Sequence, residues 1–329
     1  LAESRSAGAA LASRALQAVI VVALVTTITF VLVHLAPGDP FSSALDNPNV
    51  TEAIRARWRA AYGLDRPVAE QFVRYLANVA RGDLGWSFSM RRPVLDVLLD
   101  ALPNTLLLTG CALVLGFAGG ITLGVVQARA AGTRLDRALG AISMFFYAMP
   151  DFWLALMMML AFAYWLPIFP VGGAVDPVMH DYLGAAGRIA DRAKHLVLPA
   201  LTLALLSAAG VARYQRAELL RVLPEPFLQA ARARGVSERR VLLRHALRNA
   251  LIPMVTLLGM ALPVLFTGAV FVERVFAWPG MGWVILNAVA TRDYPLVMAG
   301  VIVASTTVAV GSLLADVMYT LVDPRLRGR

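Results

Sequence analysis

A side chain that does chemistry needs a partner at fixed spacing, and few of these 329 residues have one. The sole lysine, Lys194, follows Ala193, so there is no G-x-x-x-x-G-K-[ST] loop to grip nucleotide phosphates. No H-E-x-x-H occurs, and His34, His180, His195 and His245 are scattered along the chain, which argues against a shared metal site. Cys111 is the only cysteine, so it closes no disulfide within the chain and builds no thiolate cluster. A G-x-S-x-G elbow is also missing. What remains is Asp151, set in the apolar stretch "YAMPDFWLAL". An ionised carboxylate at membrane depth is costly, so it should face a water-filled path or take a partner. Pro150 beside it frees a carbonyl in the preceding turn and kinks the helix. Two readings stay open: a pathway-lining position together with Phe152, or a kink residue bonded to a neighbouring helix. Asp316, nearer the end of the last apolar run, suits a helix-end or interhelical pairing.

The elements that must hold such residues are membrane helices. Hydrophobic residues make up 59% of the chain and charged ones only 16%, with a mean hydropathy of +0.67; soluble domains carry about a quarter charged residues. Six runs, near 15–35, 104–126, 138–166, 196–212, 251–272 and 295–322, are apolar over the roughly 20 residues that a bilayer crossing needs. The fourth is short and the third and sixth are long, so tilt or kinks are expected there. The first follows Arg5 and Arg14 like a signal peptide, but its apolar stretch is too long and "HLAPGDP" offers no small-residue cleavage site, so it reads as a retained helix.

Charge sets the expected orientation. The formal net charge is +9. Residues 1–14, 127–137, 213–248 and 323–329 are each net positive, whereas 36–101, 166–195 and 273–294 each balance to zero. Basic and neutral segments alternate without exception, which places both termini in the cytoplasm. The positive charge is then topological, and no nucleic-acid partner is expected.

Between the runs, "TEAIRARWRAA" and "RPVAEQFVRYLANVAR" have helical spacing, the second with Val68, Phe72, Leu76 and Val79 on one face, and predict a small external cap. The expected division is 1–101, the first helix and cap, and 102–329, a five-helix core. Gly116, Gly120 and Gly124 form a ladder that lets another helix backbone come close. The fifth run carries Pro253, Gly259, Pro263 and Gly268; broken helices are tolerated where protein or a cavity covers the freed backbone. Gly259, Pro263 and Phe266 therefore join Asp151 and Phe152 as pathway candidates.

The loop 213–250 is expected to hold a helix–glycine–helix knob in the cytoplasm. Pro224 and Pro226 stop the preceding helix, and "FLQAARA" restarts one with proline in its first turn. Gly235 suits the left-handed conformation that ends it. Ser237 is placed to cap a second helix with Glu238 in its first turn, and Val241, Leu242, Leu243, Ala246 and Leu247 supply its apolar stripe. Ala230 and Ala231 keep one face thin for close approach, ringed by arginine. An interfacial helix on anionic lipid would explain the arginines but not the Ala-Ala and Gly spacing.

"QAARARG" followed by "VSERRVLLRHALRNALIP" resembles the EAA loop of binding-protein-dependent ABC transporter permeases. Gln229 stands where that family has glutamate; Ala230, Ala231 and Gly235 keep its spacing. "HLAPGDP", "YGLDRPVAEQFVRYLANVARGDLGWS", "LPNTLLL", "HLVLPALTLAL", "FVERVFAWPGMG", "RDYP" and "DVMYTLVDPRLR" are similar, in order, to the B-type subunit of dipeptide, oligopeptide and nickel importers. The resemblance implies an all-α, six-helix type I importer fold (MetI-like) and half of a translocation pore shared with a homologous C-type permease. It implies two cytoplasmic ATPase subunits that bind the coupling helices of the permease pair, this chain's knob contributing Gln229, Ala230, Ala231, Arg234, Gly235, Val236, Ser237 and Arg239. An external substrate-binding protein delivers the substrate. ATP and Mg are expected in the partner ATPases, with no cofactor or metal in this chain and no enzymatic activity of its own. The competing readings are a self-sufficient secondary transporter or channel, a membrane anchor for another protein, and an importer of nickel chelates or glutathione instead of peptides.

Overall fold

Two long helices, α3 (Val94–Arg129) and α6 (Ala185–Val222), form the spine of the protein and lie against each other along most of their length. The structure is a computed structural model. It describes the backbone of residues 2–35, 66–261 and 269–322, and the side chains of 13–35, 66–261 and 269–313. The glycine ladder of α3 sets the close approach. A Cβ on Gly116 would lie 2.0 Å from Ser207 Oγ, one on Gly120 2.8 Å from the Ala208 carbonyl oxygen, and one on Gly124 2.6 Å from the Ala212 carbonyl oxygen. Without side chains at these three turns, the backbones reach packing distance, the way small residues join membrane helices.

α1 (Ala2–Leu35) precedes this pair, and the helix that follows it, α2 (Val68–Ala80), folds back on its end. Phe30 meets Phe72 with ring centroids 4.9 Å apart and Tyr75 at 6.3 Å, and Gln71 lies 3.2 Å from His34 Nε2. The α2 residues in contact are thus Gln71, Phe72 and Tyr75, with Val79 half-buried. Val68 and Leu76, expected on the same face, are exposed: Leu76 because every fourth residue drifts around a helix of 3.6 residues per turn, Val68 as the first residue of the helix. The segment "TEAIRARWRAA" lies outside the described residues. A two-residue antiparallel pairing, β1 (Trp86–Ser87) with β2 (Arg92–Pro93), leads directly into α3, which runs unbroken through residues 101 and 102.

The third apolar run is bent rather than straight: α4 (Arg134–Ala148) and α5 (Asp151–Met159, extended by a π-helical turn Leu160–Trp165) meet at 104°. Pro150 and the extended Met149 interrupt the ladder there. The fourth run, expected to be short, is the apolar middle of the 38-residue α6. Its charged ends continue the helix beyond the apolar stretch at both sides, which hydropathy alone does not reveal. After α6 come α7 (Pro226–Ala233) and α8 (Glu238–Ala250), the latter bent by 46° from α9 (Ile252–Ala261). The chain ends in α10 (Val270–Val275), α11 (Met281–Ala290) and α12 (Tyr294–Val322).

Among the described residues, four helices are long and apolar enough to cross a membrane, and counting each bent pair as one span brings the number to six. One buried cluster joins the start of α3 (Val94, Val97, Leu98, Ala101) to α11 and α12 (Met281, Val284, Ala288, Leu296). A second lies at the opposite, basic end and holds the α7–α8 elbow.

Candidate functional site

The elbow is built as its sequence dictates at the turn. Pro226 opens α7, where its missing amide hydrogen is not needed. Gly235 closes it with φ +78°. The Val236 amide donates to the Ala231 carbonyl (3.2 Å) and the Gly235 amide to the Arg232 carbonyl (2.9 Å). That pair of bonds is a Schellman motif, and Val236 packs back on the cluster containing Ala231 as the motif's apolar contact. Arg232 Nε then donates to Glu238 Oε1 at 2.8 Å, tying the two arms together across the glycine.

Three expectations for the elbow are corrected. Ser237 makes no side-chain cap; only its carbonyl is used, accepting from Arg240 and Val241. Leu243 is exposed, whereas Val241, Leu242 and Ala246 are buried and Leu247 packs against them. The reason is a π-helical turn over Val241–Ala246, which shifts the apolar stripe relative to an α-helix. Ala230 and Ala231 also do not share a face. Ala231 is buried at 5% exposure among Leu228, Val241 and Leu242, while Ala230 is exposed beside Gln229 and Phe227. Gln229 Nε2 is held by the Pro224 carbonyl at 2.9 Å, and Arg234 Nε donates to the Ala230 carbonyl at 3.2 Å. Arg239, Arg240, Arg244 and Arg248 make no ion pair among the described residues.

The same cluster contains Ala128 from α3 and Leu219 and Val222 from α6, with Val125 and Leu223 against it. The elbow is therefore packed directly onto the basic ends of the two spine helices. A displacement of the exposed α7 face has a rigid route into the membrane, because close-packed cores transmit strain.

The pathway candidates are only partly brought together. Asp151 is the first residue of α5, and its Oδ1 accepts from the Phe152 amide at 2.8 Å. No hydrogen bond joins it to another helix among the described residues. Phe152 faces Phe271 with ring centroids 6.3 Å apart, so the break before α5 meets the start of α10. Gly259 is buried in α9. Pro263 and Phe266 lie outside the described residues, as does the side chain of Asp316.

Sequence reasoning missed a polar node on the other end. Glu273 is fully buried; its Oε1 accepts from Thr105 Oγ at 2.9 Å and its Oε2 from the Trp283 amide at 2.9 Å. Asn104 adds a donor to the Pro279 carbonyl (3.0 Å), accepts Trp278 Nε1 on its own carbonyl (2.9 Å), and receives Arg192 Nη2 on Oδ1 (2.6 Å). Burial pushes the Glu273 carboxyl above the usual glutamate range, against the pull of its donors. Nearby, the buried Asp293 accepts from Ser87 Oγ (2.6 Å), Ser89 Oγ (2.7 Å) and the Ser89 amide (2.9 Å) on one oxygen. The signal was present as "LPNT", "WPGMG", "GWS" and "RDYP", but nothing in the sequence said that these stretches touch.

A spine of glycine-packed membrane helices, with a basic elbow bound to one end, defines a type I ABC importer permease. The chain belongs to the family described as binding-protein-dependent transport system inner membrane component, which matches residues 120–328; that family's N-terminal component matches residues 9–109. It is 36% identical to the oligopeptide transport system permease protein AppB of Bacillus subtilis over 95% of this chain and 97% of that one. It is 34% identical to the dipeptide permease DppB of Escherichia coli over 92% and 94% of the two chains, and 39% identical to the probable D,D-dipeptide permease DdpB of the same organism over 94% of each. The inward-facing methionine ABC transporter MetNI shares the fold, with a TM-score of 0.52 at 19% identity, covering 70% of this chain and 97% of that one. The chain is an inner-membrane permease subunit of a bacterial ABC importer.

Proposed function

We propose that this permease imports di- or oligopeptides, forms half of the translocation pore beside a homologous C-type permease, and is driven through its elbow by one of the two cytoplasmic ATPases that bind the coupling helices of the pair. Peptide as the substrate class rests on the relatives, which are named for oligopeptide and dipeptide transport. An external binding protein delivers the peptide. ATP and Mg are bound and hydrolysed in the partner subunits, and this chain contributes no cofactor site.

The observation that carries the coupling role is the shared core of the elbow with α3 and α6. Gln229, Ala230, Arg234 and Arg239 form the outer surface on which an ATPase docks. Ala231, Gly235 and Val236 hold that surface rigid through the Schellman turn, and Ser237 starts the second arm. Closure of the ATPases on ATP moves α7, the spine helices follow, and the pore opens outward; hydrolysis resets it.

The test uses the assembled transporter with Cys111→Ala as a cysteine-free background and a single cysteine at Ala230. Oxidative cross-linking to a cysteine scanned along the ATPase groove should trap one discrete pair, and peptide uptake into proteoliposomes should stop until the bond is reduced. Peptide uptake that continues with the cross-link in place would end the coupling role. Uptake of nickel chelate or glutathione in place of peptide would end the substrate assignment alone.

A further inference from the structure

At the basic end of the spine, a pocket of about 270 Å³ opens between α3, α4 and α6. Its floor includes the buried Gln127 and Ser143. Ser143 is 8% exposed, and its Oγ has no hydrogen-bond partner among the described residues. One wall is a locked ion pair: Arg216 Nε and Nη2 donate to Asp136 Oδ1 and Oδ2 at 2.8 and 2.7 Å, and the Gly132 amide adds a third bond to that carboxylate at 3.0 Å.

The mouth is different. Arg213 also lines the pocket, its guanidinium carbon 4.6 Å above the Tyr147 ring centroid, and neither it nor Arg137 has a carboxylate partner among the described residues. Two cations without counter-charge and a free buried hydroxyl thus surround a cavity that already holds a neutralised pair. We propose that this pocket binds the phosphate of an anionic phospholipid head group.

Three features select a lipid over a soluble anion. Arg213 immediately follows the apolar stretch 196–212, so the pocket lies where the hydrocarbon boundary ends. Exposed apolar side chains surround α4 beside it, with Met144 at 57% in the pocket lining and Ile142 at 52% and Phe145 at 60% next to it, a surface suited to acyl chains. An arginine stacked on tyrosine at that depth is the arrangement by which side chains anchor at the interface. A bound lipid would brace α4 against α6 on the side where the elbow is attached.

The assembled transporter is placed in phosphatidylcholine nanodiscs doped with phosphatidylglycerol, and bound phosphatidylglycerol is counted by native mass spectrometry. The double variant Arg137→Gln/Arg213→Gln, at exposed positions that leave the core untouched, should retain it roughly 30-fold more weakly. Arg134→Gln, on the same helix end but outside the pocket lining, should behave as wild type. Equal retention by double variant and wild type, or equal loss with Arg134→Gln, overturns the site. Displacement of the lipid by millimolar inorganic phosphate would assign the pocket to a free anion and overturn the lipid. A photo-crosslinker at Met144 should label phospholipid; labelling of the second permease chain instead would overturn the proposal in favour of a subunit contact.

Discussion

Thr105 and Glu273, separated by 168 positions in the chain, share a 2.9 Å hydrogen bond inside the protein, and Thr105 Oγ simultaneously accepts the Met281 amide at 2.7 Å. One hydroxyl thereby anchors both ends of the turn between α10 and α11 to the spine helix α3. Replacing Thr105 with valine keeps the shape but strands a buried amide and one side of a buried carboxylate, at a cost of about 1–3 kcal/mol for each unsatisfied group. Thr105→Val should therefore melt several degrees below wild type in detergent, and Thr105→Ser should recover most of the loss. Identical melting of all three proteins would mean that the node contributes nothing.

The Glu273 carboxyl also gives stability a pH dependence. Its folded value is raised by burial above the ordinary 4.5, so the folded state holds a proton that the unfolded chain releases. The contribution is complete below that ordinary value and is lost as pH climbs through the raised one. In thermal melts from pH 4 upward, this component of the slope should vanish in Glu273→Gln. A variant whose slope matches wild type would place the titration elsewhere.

Gly124 tests the packing of the spine. A methyl there would meet the Ala212 carbonyl oxygen at 2.6 Å and Gln215 Cβ at 2.7 Å, mostly backbone and a fixed neighbour rather than the tip of a flexible chain. Overpacking of this kind costs about 1–3 kcal/mol. Gly124→Ala should reduce thermal stability, while Gly110→Ala, where a Cβ meets nothing within 4 Å, should leave it unchanged or slightly raised. Equal effects at the two positions would mean that α3 and α6 do not approach as described.

The two alanines of the elbow separate docking from folding. Ala231→Trp forces an indole into a filled core and should destabilise the elbow itself, exposing it to protease. Ala230→Trp lies on the outer face and should leave melting and protease resistance intact while abolishing substrate-stimulated ATPase activity. Gly235→Pro asks proline, fixed near a φ of −65°, to adopt +78°, and should uncouple transport with membrane insertion preserved. Full ATPase stimulation with Ala230→Trp would move the docking surface elsewhere.

What the sequence made legible follows from how far each signal reaches. Pro226 and Gly235 act within one turn of themselves, so the start and end of α7 were readable, and the glycine ladder announced a close helix contact without naming its partner. The buried side of the elbow was read less well. A strict α-period put Leu243 in the stripe, and the π-helical turn over Val241–Ala246 has no sequence mark; Ala230 and Ala231, about 100° apart as neighbours on an α-helix, put only Ala231 in the core. Pro150 signalled a kink, but the 104° turn between α4 and α5 depends on what packs around it. The Glu273 and Asp293 nodes were invisible for a simpler reason: each joins residues that are distant in the chain, and spacing carries no information about such pairs.

Asp293 provides the last test, because it fastens the start of the spine to the start of α12. Its Oδ2 accepts Ser87 Oγ, Ser89 Oγ and the Ser89 amide, and Oδ1 meets the Leu296 amide at 3.4 Å. The stretch held this way contains Arg91, with φ +53°, and Arg92, bonded to Asp100 at 2.7 Å. Both arginines are trypsin targets, and cleavage requires the backbone to leave its folded path. Removing the carboxylate takes the acceptor from the buried Ser87 hydroxyl and from the Ser89 amide, so local opening should become easier while α3 and α6 stay packed. Asp293→Ala should therefore be cut at Arg91 or Arg92 many times faster than wild type under native conditions, with only a small change in global melting. Cleavage at the wild-type rate would show that the two serines hold their segment without the carboxylate, and that the fastening lies in the surrounding apolar cluster of Val94, Met281 and Leu296.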